Sequence, residues 1–427
     1  MNENYLLKTE GARRIYREIA NLPIIDFHNH VALSDLSTER KFENIYDLWI
    51  KSDPYKHRLM RISGVAEKYI TGDAEPREKF KKYAEIFPYL VGNPVYDWSR
   101  MELSAIFGID EILSLDNAER IYDKCNEMLS SDSFSGASII SKFNIEYQSP
   151  VKTLFEDVSD FEKCNVSPSL RGDNLLYPTD EIKKRLEIET GSDVSSPDSY
   201  VSALTSYLDK FDALGCRFAD HALDADFFEN DTDGVGRVTL IKLANEYAKR
   251  GWTLLLHLDA KRKTSERLAK AAGPAGGYAA VGGNFPISMI CDLLNAIETS
   301  GRLPDTVLFP LNMSDQAPLA VMQGSFSEEG VPSKVQLGPA WWWCDHKMGI
   351  ENTLDSIASF GSLSQFIGMT TDSRSILSFV RHDYFRRILA SYLDRKNTEC
   401  EWDLQFDILC AVAKKICYEN AKDKIRR

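Results

Sequence analysis

The chain has 427 residues, 43% hydrophobic and 27% charged, with a formal net charge of −13. This is ordinary globular composition with ample material for a core, and the absence of any lysine- or arginine-rich block argues against nucleic acid as a partner. No run approaches the ~18 apolar residues that span a bilayer, and eight scattered cysteines without a CxxC pair suit neither a disulfide framework nor a zinc ribbon, so we expect a cytoplasmic protein.

Along the chain, the N-terminal stretch "MNENYLLKTEGARRIYREIANLP" lacks a long apolar segment and reads as an amphipathic helix. Eight β-like runs follow, at 22–28, 143–148, 164–170, 216–221, 252–258, 306–312, 334–340 and 365–371. Several are continuously apolar, as parallel strands buried on both faces are. Helical patterns such as "VTLIKLANEYAKR" and "ISMICDLLNAIETS" lie between them. Eight strands alternating with helices predict an α/β fold, a distorted (β/α)8 barrel of the TIM type. Residues 33–140 separate the first two strands and read as mostly helical. We therefore expect a barrel built from 1–32 and 141–427, a helical insertion over 33–140 that contributes to the active site, and further helices over 376–427.

The polar signatures fall where barrel strands end, the face on which such barrels carry chemistry. In "DFHNH", His28 and His30 are i and i+2 on a strand, hence on one face. Arg171 follows the third strand, Asp220 and His221 the fourth, and His257 the fifth. Trp341 and Trp342 follow the seventh, Asp372 and Arg374 the eighth. Each has a plain alternative, such as a core histidine at 257, a helix cap at Asp220, or a surface Arg171–Asp173 pair; their shared position joins them into one site. Two imidazoles and a carboxylate suit one divalent metal, with zinc first and manganese or iron also compatible. An arginine near it presents a fork matched to a substrate carboxylate.

"DFHNH", "GNPVYDW", "GCRFADHAL", "GPAWWWCD" and above all "GMTTDSRSILSFVRHDYFRRIL" resemble uronate isomerase, also called glucuronate isomerase, of the amidohydrolase superfamily. The resemblance runs from about residue 5 to about 420 and implies interconversion of D-glucuronate with D-fructuronate and of D-galacturonate with D-tagaturonate. It implies His28, His30 and Asp372 as metal ligands, with Tyr55, Arg171, Asp220, His257, Arg374 and either Trp341 or Trp342 facing a small uronate. Such aldose–ketose isomerisation moves a proton between C2 and C1, and Asp372 is the first choice of base, with Tyr55, His257 and Asp220 as further catalytic groups. No nucleic acid or membrane is expected as a partner, and homo-oligomerisation is left open.

The chain departs from the family pattern in the substrate half. Pro54 stands where histidine is usual before Tyr55, "QSPVKT" follows the second strand, and "DAKRKT" after His257 keeps Arg262 but is expected to place Asp259 beside the site. Ala275 and Ala279 replace usual aspartates, and His57 is a candidate substitute for the absent histidine. A metal-dependent relative acting on another sugar acid, or hydrolysing a related substrate, is therefore the alternative function, because fold does not fix chemistry.

Overall fold

The computed structural model describes residues 3–37, 40–131, 134–161, 166–274, 276–283 and 285–426. Seven strands form one parallel, curled sheet in the order β1 (Ile24–Asn29), β2 (Ile145–Thr153), β3 (Ser169–Arg171), β4 (Phe218–Leu223), β5 (Thr253–Leu258), β8 (Thr306–Pro310) and β9 (Val335–Leu337). The apolar runs predicted as strands supply these seven, with shifted ends. The third begins at Ser169, and the start expected at Cys164 lies outside the described residues. Two strands of two residues each, β6 (Ala260–Lys261) and β7 (Ala280–Val281), form a small antiparallel pair above the sheet that the sequence reading missed.

The eighth predicted strand, 365–371, forms no regular ladder, so regular pairing stops short of closing the barrel. Its backbone is irregular for local reasons. Gly368 has φ +87°, and a Cβ there would strike the Ile416 carbonyl, while Asp372 itself has φ +46°. The segment nevertheless bridges the two edge strands. Asp372 N–H donates to the His28 carbonyl at 3.1 Å, His30 N–H to the Ser373 carbonyl at 2.8 Å, and Ile367 N–H to Gln336 Oε1 at 2.9 Å.

Among the described residues, six α-helices lie between β1 and β2, including Pro54–Ile62, Pro76–Ile86 and Pro94–Phe107. Each of these three begins with proline, which suits a first turn whose N–H has no helical partner. At Pro54 the preceding Asp53 caps the helix, its Oδ1 accepting from the N–H of Tyr55 (2.9 Å) and Lys56 (3.1 Å). After the barrel, Val380–Thr398 and Phe406–Lys414 pack with the N-terminal helix Glu10–Ile19. Among the described residues no helix is long and apolar enough to cross a membrane.

Candidate active site

A cleft of about 520 Å³ opens at the C-terminal ends of the strands, and it is lined by all ten predicted site residues: His28, His30, Tyr55, Arg171, Asp220, His257, Trp341, Trp342, Asp372 and Arg374. On β1 the pleat turns His28 inward, and its Nε2 lies 3.2 Å from Asp372 Oδ1; His30 Nε2 lies 3.1 Å from the same oxygen. Three donor atoms thus converge on one point. Burial pushes the Asp372 carboxyl up, but the two imidazoles outweigh it and hold the group well below the usual carboxylate range. For His30 burial wins and lowers its pKa to about 4; for His28 the nearby Asp220 and Asp372 charges overcome burial and raise it.

His28 is shared with a second buried trio, His28–Asp220–His257. His257 Nδ1 is 2.5 Å from Asp220 Oδ1, which fixes the ring and leaves its Nε2 buried without a hydrogen-bond partner among the described residues. Burial disfavours the Asp220 carboxylate, but His257 and His28 more than offset this and keep it ionised. The alternation of β4 separates Asp220 from its neighbour. His221 points to the other face, where its Nε2 meets the Tyr247 hydroxyl at 2.9 Å in the core. Asp220 is therefore a cleft residue and no helix cap.

Three arginines line this cleft, Arg171, Arg262 and Arg374, of which Arg262 pairs with Asp224, Nε to Oδ1 at 2.9 Å. Arg171 does pair with Asp173, Nη2 to Oδ2 at 3.0 Å, yet it also lines the cleft; its pKa rises because Asp173, Asp220 and Asp372 outweigh burial. Arg374 lines the cleft with no ion pair to a described residue, and burial lowers its pKa. The tryptophan run divides. Trp341 Nε1 donates to Asp372 Oδ2 at 2.6 Å, Trp342 lies 5.4 Å from the Arg262 guanidinium, and Trp343 turns away to pack edge-on against Tyr55. Tyr55 is held by Trp98, Trp343 and the buried Arg381, and burial keeps its hydroxyl protonated far beyond neutral pH.

Some expectations fail. Asp259 is buried with φ +70° and accepts from Gly283 N–H at 3.3 Å, so it ties together the open base of the β6–β7 pair and does not line the cleft. His57 also stays out of the cleft; it is buried, with Nε2 lacking a hydrogen-bond partner among the described residues. Pro54 and Ala279 line one stretch of wall together, whereas Ala275 lies outside the described residues.

Sequence reasoning missed Asp26, which is fully buried. Its Oδ1 accepts from Thr371 N–H (2.7 Å) and the Thr370 hydroxyl (2.9 Å), and faces His382 Nε2 (3.3 Å). Its Oδ2 accepts from Asn29 Nδ2 and the Thr371 hydroxyl, both at 2.8 Å. Here a carboxylate replaces the missing ladder between β1 and the eighth segment, and so sets Asp372 against His28 and His30. Period alone does not reveal this role, because the register shift between Asp26 and Asn29 breaks the alternation, and Asp26 meets Asn29 and His382 while His28 faces the cleft.

The family model for glucuronate isomerase matches residues 1–424. The chain is 35% identical to a uronate isomerase of Caldanaerobacter subterraneus subsp. tengcongensis, over 99% of this chain and 98% of that one. In fold it is similar to a uronate isomerase from Thermotoga maritima (TM-score 0.90, 24% identity, 100% and 99% of the two chains). It is also similar to a glucuronate isomerase from Caulobacter crescentus (TM-score 0.89, 22% identity, 100% and 97%). These solved structures share its TIM-like barrel.

Proposed function

The chain belongs to the glucuronate isomerase family, and from this premise we propose that it interconverts D-glucuronate with D-fructuronate and D-galacturonate with D-tagaturonate by moving a proton between C2 and C1. The observation that carries the reading is the convergence of His28, His30 and Asp372 within one arginine-lined cleft. The donor set fits one divalent cation: the imidazole nitrogens stand 3.2 and 3.1 Å from a shared carboxylate oxygen, in a buried pocket. We assign zinc, for which two nitrogens and one oxygen with open positions are suitable; manganese and iron are chemically compatible. When bound, the ion would polarise the substrate's C1 and C2 oxygens and stabilise the negative charge that develops on them.

The protein's own groups do the rest. Asp372 stays ionised, and its position beside the reacting carbons makes it the base that takes the C2 proton and returns it at C1 through a cis-enediolate. Trp341 holds the second Asp372 oxygen and fixes the carboxylate's orientation. With Nδ1–H donated to Asp220, His257 keeps Nε2 as an acceptor for a substrate hydroxyl. Tyr55, protonated, donates to a substrate oxygen. Arg374, which has no ion pair to a described residue, grips the substrate carboxylate, and Arg171 adds a second cation. The helical segment 33–140 supplies Tyr55 and thus part of the site.

A relative acting on another sugar acid is the second reading, favoured by one observation: Pro54 and Ala279 give the cleft an apolar stretch. Incubating metal-loaded protein with a panel of hexuronates and following products by NMR separates the two. Conversion of D-glucuronate or D-galacturonate to its keto isomer supports the first; turnover confined to other sugar acids supports the second.

A further inference from the structure

One stretch of the cleft differs chemically from the rest. Pro54, Pro274, Gly277, Tyr278 and Ala279 line it side by side, and their only polar side-chain end is the Tyr278 hydroxyl. A wall of this kind can still bind sugar hydroxyls through backbone carbonyls, but here the carbonyls of Gly277, Tyr278 and Ala279 each already accept from a side chain. Arg58 Nη1 donates to the carbonyls of Gly277 (3.5 Å) and Ala279 (3.2 Å), Arg61 donates to Gly276, and the Thr264 hydroxyl donates to Tyr278 at 2.8 Å.

The wall is also fixed in place. Gly277 has φ +80°, and a Cβ there would stand 2.2 Å from the Pro54 carbonyl oxygen, so the loop lies directly against the start of the Pro54–Ile62 helix. The β6–β7 pairing anchors its far end. A sugar hydroxyl pressed against this surface would lose its water and find few acceptors in return. A methyl ether or a bare methylene there would lose nothing and would bury apolar surface. The remaining lining carries the ionised and hydrogen-bonding groups that suit a carboxylate and the reacting oxygens.

We infer that the preferred substrate is a hexuronate lacking one free hydroxyl between its reacting carbons and its carboxylate, that position being O-methylated or deoxygenated and seated against the Pro54–Ala279 wall. This inference rests on the uronate isomerase reading above and adds a substrate class to it.

The test compares kcat/KM for D-glucuronate with the values for its 3-O-methyl, 4-O-methyl, 3-deoxy and 4-deoxy derivatives on the metal-loaded protein. At least one modified substrate should exceed D-glucuronate about tenfold, mainly through KM, the scale on which a mismatched group in a pocket is discriminated. Whether the methyl or the deoxy form wins tells whether the wall fills or merely tolerates the gap. Ala279→Asp, which places an acceptor on the wall, should shift preference back towards D-glucuronate. If D-glucuronate is isomerised faster than every derivative, the wall reads a hydroxyl and the inference fails while the isomerase reading stands. If no hexuronate, modified or not, is isomerised, both fail.

Discussion

Asp26→Asn replaces one acceptor oxygen of the buried hub by an amide nitrogen. Either orientation creates a mismatch. With nitrogen at the Oδ1 position it opposes the Thr371 N–H; at the Oδ2 position it opposes the Asn29 amide, whose own oxygen already accepts from Val31 N–H at 3.1 Å. Thr371 can rotate its hydroxyl to accept, but Asn29 cannot turn without breaking that bond. One buried donor is therefore left unpaired, at about 1–3 kcal/mol, and His382 loses its anionic partner. Global stability should fall by roughly 2–3 kcal/mol in urea denaturation. The more specific effect is on the metal: supporting groups behind ligands typically change affinity by about 10–100-fold. Competition between the protein and a chromophoric zinc chelator measures this directly. Asp231 serves as control, since it too is buried and accepts from Tyr177, Gly236 and Arg237, but it contacts none of His28, His30 and Asp372 and does not line the cleft. Asp231→Asn should destabilise without changing zinc affinity. If Asp26→Asn lost stability but held zinc as tightly as the control, the hub would be structural only and the registration argument wrong. Thr371→Val gives a milder version if Asp26→Asn does not fold.

Further expectations follow from the same geometry. His57 is buried with its pKa lowered to about 4 from 6.5, so the unfolded chain gains a proton here first as pH falls; stability is lost between about pH 6.5 and 4, by about 2 kcal/mol at pH 5. His57→Gln should remove that share of the difference in urea midpoint between pH 7.5 and pH 5, and an unchanged difference would refute it. Arg374→Met should reduce kcat/KM for uronates about 30-fold or more, since truncating one side of a buried charged pair costs 2–5 kcal/mol; equal wild-type turnover of D-glucose would contradict a carboxylate clamp. Asp372→Asn should stop deuterium exchange at C2 in D2O, whereas His257→Asn should slow isomerisation with exchange still detectable; the reverse pattern would move the base to His257. Pro54→His, at a helix start that tolerates other residues, should alter the preference among uronates, and identical kinetics would make that departure neutral.

The sequence was most legible where periodicity and burial agree. Apolar runs marked seven strands because parallel strands buried on both faces leave little alternative, and His28, Arg171, Asp220, His257 and Trp341, read at their ends, line one cleft. The eighth run was apolar enough to read as a strand, but Gly368, the paired threonines and the left-handed Asp372 trade the ladder for side-chain bonds. Period alone does not reveal that trade. Asp259 and His57 were misplaced because proximity in sequence says nothing about the turn that follows a strand or the face a helix buries. The β6–β7 pair, each strand only two residues long, carries too few residues for any pattern to show.

The central claim is that a divalent cation at His28, His30 and Asp372 is required for isomerisation of a uronate. The most direct measurement is the rate of D-glucuronate to D-fructuronate conversion, followed by NMR, in chelator-stripped protein, in the same protein after one equivalent of zinc, and in His28→Ala/His30→Ala, with bound metal determined in each. Conversion should be negligible after stripping and should recover at one bound zinc per chain, and the double variant should hold neither metal nor activity with its fold intact. Full conversion by the stripped protein, or stoichiometric metal retained by the double variant, would contradict it.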